Sequence, residues 1–373
     1  MQDVKFGLTI SMYPPKDMVR AGVMADKYGF DSVWVPDHFT DLPPSGDRVE
    51  PWTTLATIGA LTKHVMLSTC VTDTQRRHPA VTAHAVATLD ELTDGRGSVA
   101  LGAGEVMNIK PFGLPWEDAV GRAERLSEAV QIIKLLWCSS REKSVDFTGK
   151  YYTLTQAWLD QHPVQKPHPP LYVGALGGRR TLEIVGKYGN GWFPWFNTIE
   201  TFKRRSETIR QAAEAAGRDF NKIERCALLP TVATKDEKLQ KRAMDALRTE
   251  IFVLVDRSIF KEMGFEVQIE GSEYKYQRTL PTQEKADIAA EAASKIPYEI
   301  TSKFMTIGDA SQFIEQIDDY IKAGARHFAV RDVIGQYVYG SVDRGQETLK
   351  FLSKKVIPYF RGTSKNKKRP KRR

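Results

Sequence analysis

The chain has 373 residues, 41% hydrophobic and 27% charged, an ordinary globular composition with ample length to bury a core. No stretch approaches the ~18 uninterrupted apolar residues that a membrane span needs. The formal net charge is +8. It is matched by one segment, 361–373, in which Arg361, Lys365, Lys367, Lys368, Arg369, Lys371, Arg372 and Arg373 stand without an acidic residue. Residues 1–360 are therefore formally neutral, and the globular part is not a basic protein but one carrying a basic tail.

The first residues, Met1-Gln2-Asp3-Val4-Lys5, run straight into an apolar strand pattern. They show no basic region, apolar segment and cleavage site of a secretory leader. Cys70, Cys138 and Cys226 are odd in number, far apart and outside any C-x-x-C spacing, which points to a reduced, cytoplasmic protein without a disulfide framework. In chain order, Val4–Ile10 reads as a strand before a helix near Lys16–Tyr28, and Ser32–Pro36 precedes a helix from about Thr53 to Lys63. Val65–Val71 precedes a helix near Ala80–Leu92, and Gly97–Gly102 a long helix near Val120–Trp137. Leu171–Val173, Gly191–Phe193 and Ala227–Thr234 continue the series, and His327–Val330 with a helix over Val342–Phe360 closes it.

Short, fully apolar strands alternating with helices predict an α/β fold, a closed parallel (β/α)8 TIM barrel rather than an open sheet. Gly29 and Gly324 each stand where a helix stops just before a strand. Residues 1–360 read as one domain. It has insertions at about 141–170, with a hairpin over Val145–Leu154, and at about 257–303. Residues 361–373 read as a disordered arm.

Active sites of such barrels are built from the loops after the strands' C-terminal ends. Those positions hold Asp37-His38-Phe39, Ser68-Thr69-Cys70-Val71-Thr72-Asp73, Gly102-Ala103-Gly104-Glu105-Val106-Met107-Asn108, and Gly174-Ala175-Leu176-Gly177-Gly178-Arg179-Arg180. His38 is the best candidate for acid–base chemistry because imidazole titrates near neutral pH, although a polar residue can merely cap a strand end. Glu105 can exchange a proton or pair with an arginine such as Arg76 or Arg77. Adjacent Asp37 and His38 point apart if the strand alternation continues, so they are not a catalytic dyad. Gly102-x-Gly104 is no dinucleotide fingerprint, since Met107 replaces the third glycine. Gly177-Gly178 before a helix suits an anion. Trp192, Trp195 and Phe196 read as core and pocket wall. The seven histidines show no metal-ligand spacing, so no metal is expected.

Phe30-Asp31-Ser32-Val33-Trp34-Val35 running into Asp37-His38-Phe39, Ser68-Thr69-Cys70-Val71-Thr72, and Gly102-Ala103-Gly104-Glu105-x-Met107-Asn108 resemble the luciferase-like family, in its branch that uses coenzyme F420. Val49-Glu50-Pro51-Trp52-Thr53 and Arg76-Arg77-x-Pro79-Ala80 add to the resemblance, which runs over about residues 4–230 and more loosely over 305–360. It implies a barrel whose coenzyme lies at the strand C-termini, with a non-prolyl cis peptide at Cys70–Val71 behind the ring. By the same resemblance Asp37, Cys70, Val71, Ala103, Gly104 and Asn108 contact the coenzyme, Ala175, Gly177 and Gly178 hold its phosphate, and His38 and Glu105 are the catalytic pair. It implies a homodimer acting on a small molecule by hydride transfer at an alcohol or carbonyl carbon. Alternatives are methylenetetrahydromethanopterin reduction with the same coenzyme, or FMN-dependent oxygenation on the same barrel. Polyanion or nucleic-acid binding through 361–373 is a further reading of a different class.

Overall fold

A computed structural model describes residues 4–12, 14–41, 48–266, 280 and 282–362. It begins β1 (Lys5–Thr9), α1 (Pro15–Lys27), β2 (Ser32–Val35), α2 (Pro51–Leu61), β3 (Met66–Thr69), β4 (Thr72–Asp73), α3 (Pro79–Leu92), β5 (Val99–Gly102) and α4 (Ala119–Trp137). A hairpin follows, β6 (Val145–Thr148) with β7 (Thr153–Ala157), then β8 (Leu171–Gly174), α5 (Arg179–Tyr188), β9 (Gly191–Phe193) and α6 (Ile199–Ala215). The chain continues with β10 (Glu224–Val232), α7 (Glu237–Leu254), α8 (Arg257–Glu262), α9 (Gln283–Ser294) and α10 (Tyr298–Thr301). It closes with β11 (Thr306–Ile307), α11 (Ala310–Lys322), β12 (His327–Asp332), α12 (Val342–Phe351) and α13 (Ile357–Phe360).

The parallel strands run in the order β3-β2-β1-β12-β10-β9-β8-β5-β4. β3 and β4 are two halves of one barrel strand. β3 pairs with β2 (Val35 opposite Thr69), and β4 pairs with β5 (Thr72 opposite Leu101), so the two halves join the ends of the path. Leu67 also bridges to Gly97, which closes the cylinder. Among the described residues this makes eight barrel strands, as the sequence predicts. The peptide between the halves, Cys70–Val71, is cis, as the family resemblance implies.

Two apolar layers follow from the strand alternation. Outward-facing Phe6, Leu8, Val33, Leu67 and Val173 are buried against the helices. Inward-facing Trp34, Tyr172 and Phe193 fill the barrel, with the Trp34 and Phe193 rings 4.6 Å apart. Gly7 makes this possible, because a Cβ there would lie 2.7 Å from Trp34 Nε1 and 2.1 Å from Ser32 Oγ. Beneath the aromatics runs a polar chain. Trp34 Nε1 donates to Ser32 Oγ (2.7 Å), which meets His327 Nε2 (2.7 Å), and His327 Nδ1 meets Glu224 Oε1 (2.7 Å). Tyr172 Oη and Lys5 Nζ each donate to Glu224 at 2.7 Å. Burial would raise the Glu224 carboxyl, but His327 and Lys5 outweigh it and hold the group well below the usual carboxylate range.

The 257–303 insertion is helical where it is described. α8, α9 and α10 share one apolar cluster with α7 and with Met107, Phe196 and Val333 at the strands' C-terminal end. The predicted hairpin is present but extends to Ala157. One expectation is corrected: Arg361 does not belong to a free arm. Its guanidinium grips both carboxylate oxygens of Asp31 (2.8 and 2.7 Å) and the Gly29 carbonyl (2.9 Å), so charge pairing holds it to the barrel. The remaining basic residues of that segment lie outside the described residues. Among the described residues, no helix is long and apolar enough to cross a membrane.

Candidate functional site

A cavity of about 760 Å³ opens at the C-terminal ends of the strands. It gathers His38, Glu105, Asp37, Cys70, Val71, Ala103, Gly104, Asn108, Ala175 and Gly178 from four separate stretches of sequence. Of the catalytic and coenzyme-contact candidates named from the sequence, only Gly177 does not line it.

His38 and Glu105 face each other, with Nε2 3.3 Å from Oε2. His38 Nδ1 is buried and faces Asp41 Oδ2 at 3.8 Å, which leaves Nε2 as the ring nitrogen on the Glu105 side. Burial pushes the His38 imidazole below its ordinary value; Glu105 opposes that shift, and Arg48 and Arg76 add to it. The ring is therefore neutral near pH 7 and can accept a proton. Of the two readings open for Glu105, the structure realises neither arginine pair. Arg76 is held by Asp73 and Asp37, and Arg77 by Glu50 at 2.6 Å.

Asp37 turns away from His38, as the alternation predicts. Its carboxylate accepts from Thr72 Oγ1 (2.8 Å) and pairs with Arg76 Nη2 (3.0 Å). It borders the cavity, and these partners hold its carboxylate at the strand end. Asn108 is likewise committed. Its Oδ1 accepts the backbone N–H groups of Phe39 (2.7 Å) and Thr40 (3.0 Å), and its Nδ2 donates to Glu105 Oε2 (3.4 Å). One amide thus positions both the loop carrying His38 and the Glu105 carboxylate.

The floor is built around Val71. A Cβ on Gly102 would lie 2.4 Å from Val71 Cγ2, and one on Gly174 would lie 2.9 Å from Val71 Cγ1, so the two glycines leave room for this side chain. Burial pushes the neighbouring Cys70 thiol far up, so it stays protonated. At the far side α5 begins at Gly178 without a side-chain cap, a helix end suited to an anion. Gly177 has φ +127, and a Cβ there would meet the Arg205 guanidinium at 2.6 Å. Arg205 is buried, hydrogen-bonds Asn197 Oδ1 (2.5 Å), and is lowered by burial to about 10, so it remains a cation behind that turn. An aliphatic floor beside an anion-ready helix end fits an apolar ring carrying a phosphorylated tail.

The sequence reading misses Glu250 and Arg331. Arg331, at the end of β12, binds Glu250 of α7 through both terminal nitrogens (2.6 and 2.8 Å), and Trp195 Nε1 donates to the same carboxylate (3.2 Å). The legible signal was an arginine directly after the apolar run Phe328-Ala329-Val330; its partner, 81 residues away, gave none. Trp195 lines the cavity as expected, while Trp192 is fully buried and bonds the Ala175 carbonyl at 3.0 Å. Sequence spacing also hides a Glu224–Cys226–His327 group, which the pairing of Cys226 with His327 brings within 4.8 Å. Its carboxylate is already taken by Lys5, Tyr172 and His327, and the group serves as the barrel's polar floor.

The profile of the luciferase-like monooxygenase family matches residues 5–327. The phthiodiolone/phenolphthiodiolone dimycocerosates ketoreductase of Mycobacterium tuberculosis is 29% identical over 354 residues, covering 88% of this chain and 91% of that protein. The F420-dependent glucose-6-phosphate dehydrogenase of Microbacterium testaceum is 29% identical over 341 residues, with the same shares of 88% and 91%. A solved F420-dependent secondary alcohol dehydrogenase, in complex with an F420–acetone adduct, superposes with a TM-score of 0.77 at 26% identity, covering 95% of this chain and 98% of that one. With the closed barrel, the split third strand and the His38–Glu105 cavity in place, the chain belongs to the luciferase-like monooxygenase family.

Proposed function

We propose that this protein is an F420-dependent oxidoreductase that moves hydride between the coenzyme and an alcohol or carbonyl carbon of a small substrate. The observation that carries the reading is the half-buried His38–Glu105 pair in one cavity with Val71 and an uncapped helix end. The names of the similar proteins support it. When bound, the deazaflavin would accept or donate the hydride at its C5.

In this reading Val71, Ala103, Gly104 and Ala175 hold the ring, and Gly178 with the first turn of α5 holds the phosphate. His38 Nε2 accepts the hydroxyl proton as an alcohol is oxidised and returns it to the oxygen in reduction. Glu105, 3.3 Å from Nε2, stabilises the imidazolium that forms, and Asn108 keeps that carboxylate in place.

Titration with oxidised F420 and, in parallel, FMN, followed by fluorescence, tests the coenzyme. We expect saturable F420 binding that FMN does not match. Binding of FMN alone would move the protein to flavin-dependent oxygenation and remove the roles given to His38 and Glu105.

The lowered His38 pKa also sets a direction for pH. Oxidation needs the neutral ring, so kcat/KM for an alcohol falls as pH drops through the His38 pKa, with its midpoint below the ordinary ~6.5. Reduction needs the protonated ring and changes in the opposite sense. A midpoint above 6.5 assigned to His38 would contradict the desolvated environment described above.

A further inference from the structure

The cavity wall has two electrostatically different arcs. The arc of β5 and β8 leads to α5, where Arg180 and the uncapped amides favour an anion. The opposite arc, from β2 through β1 and β12 to β9, carries His38, Ser11, Arg331 and Trp195. Among the described residues, the cations lining this second arc are Arg48 and Arg331, and each is matched to a carboxylate, Asp41 and Glu250.

Arg331 is the more telling of the two. Both of its terminal nitrogens bond Glu250, Tyr337 Oη takes Nη2 as well, and the guanidinium lies 5.2 Å from the Trp195 ring and 4.5 Å from that of Tyr337. Its side chain is 3% exposed and that of Glu250 is 14% exposed, so water screens the pair poorly. An incoming phosphate or carboxylate would find both terminal nitrogens occupied, with the buried Nε the one donor left. It would also meet the Glu105 carboxylate in the same cavity, and like charges in a desolvated site repel strongly.

We infer that the substrate is an uncharged alcohol or carbonyl compound, and that Glu250 enforces this selection by neutralising Arg331. The inference rests on the oxidoreductase reading and adds the substrate's chemical class. Glu250→Gln keeps the side chain's size and an acceptor for Trp195 but strips the charge. Arg331 then becomes a buried cation whose missing partner an anionic ligand can replace.

The test uses two ring ketones of similar size, neutral 4-methylcyclohexanone and anionic 4-oxocyclohexanecarboxylate, with glucose 6-phosphate as a dianionic alcohol. F420 occupancy is first established by fluorescence. Dissociation constants are then measured by ligand-observed NMR on coenzyme-free and coenzyme-loaded protein, alongside kcat/KM. The wild type is expected to favour the neutral ketone at least ~10-fold in Kd, and Glu250→Gln to shift the anion-to-neutral ratio ~10-fold or more toward the anion, one matched charge pair's worth of discrimination.

Preference of the wild type for either anion overturns the inference, as does an unchanged ratio in a folded Glu250→Gln protein. If that variant does not fold, the wild-type Kd ratio decides alone. Failure of F420 to bind is a separate outcome that removes the oxidoreductase reading itself.

Discussion

Replacing His38 with alanine is expected to lower turnover ~10²–10⁴-fold, the usual worth of a positioned acid–base group, while leaving affinity for F420 nearly intact. The expectation rests on the division of the cavity. The groups placed to hold the coenzyme, Val71, Ala103, Gly104, Ala175 and Gly178, come from β5, β8 and the bulge after β3, whereas His38 follows β2 and faces Glu105 at 3.3 Å. Removal of the imidazole leaves the hydroxyl proton without an acceptor and does not touch the floor. Stopped-flow turnover and a fluorescence titration on the same preparation separate the two effects. A large loss of coenzyme affinity with normal turnover per bound coenzyme would sink the assignment.

Arg76→Ala is expected to destabilise the fold by about 3–5 kcal/mol, the cost of removing one partner from a buried ion cluster. The Arg76 side chain is 5% exposed, and it joins Asp37 and Asp73, whose side chains are 4% and 6% exposed. Alanine would take this cation from two carboxylates in a poorly hydrated place, leaving Arg77 Nε, 3.8 Å from Asp37 Oδ2, as the nearby positive charge. Arg76 also packs over the Phe39 ring at 4.6 Å, so the loop after His38 loses a support at the same time. Equilibrium denaturation at neutral pH measures the loss. The same substitution in an Asp37→Asn/Asp73→Asn background should cost much less. Equal losses in both backgrounds would show that packing, and not charge pairing, is what Arg76 contributes.

Most barrel strands were legible because their two buried faces leave short, continuous apolar runs between helical patterns. The misreadings have identifiable causes. Val65–Val71 reads as one strand, but the chain turns at Cys70 and resumes pairing at Thr72, and nothing in an apolar run marks such a break. The seventh strand starts at Glu224 rather than Ala227, because its first two residues are charged groups held by partners distant in sequence: Lys5 and His327 for Glu224, the Gly324 carbonyl for Arg225. His38 and Glu105 could be named from residue type and position at strand ends. The work of Asn108 could not, since its hydrogen bonds to Phe39 and Thr40 span 69 and 68 residues. Helices α8, α9 and α10 were illegible for a related reason. α9 buries Ala286, Ala289, Ala292 and Ala293, small side chains that give a weak periodic signal.

The clasp between Arg361 and Asp31 has a practical side. Asp31 immediately precedes β2, so the clasp sits at the strands' N-terminal end, with the length of the barrel between it and the cavity mouth. Whatever is joined to the chain beyond Gly362 is therefore attached to the back of the molecule. A capture tag, a resin or an anionic surface that takes hold there would leave the entrance pointing outward into solution. Immobilisation from this end should cost little in substrate access.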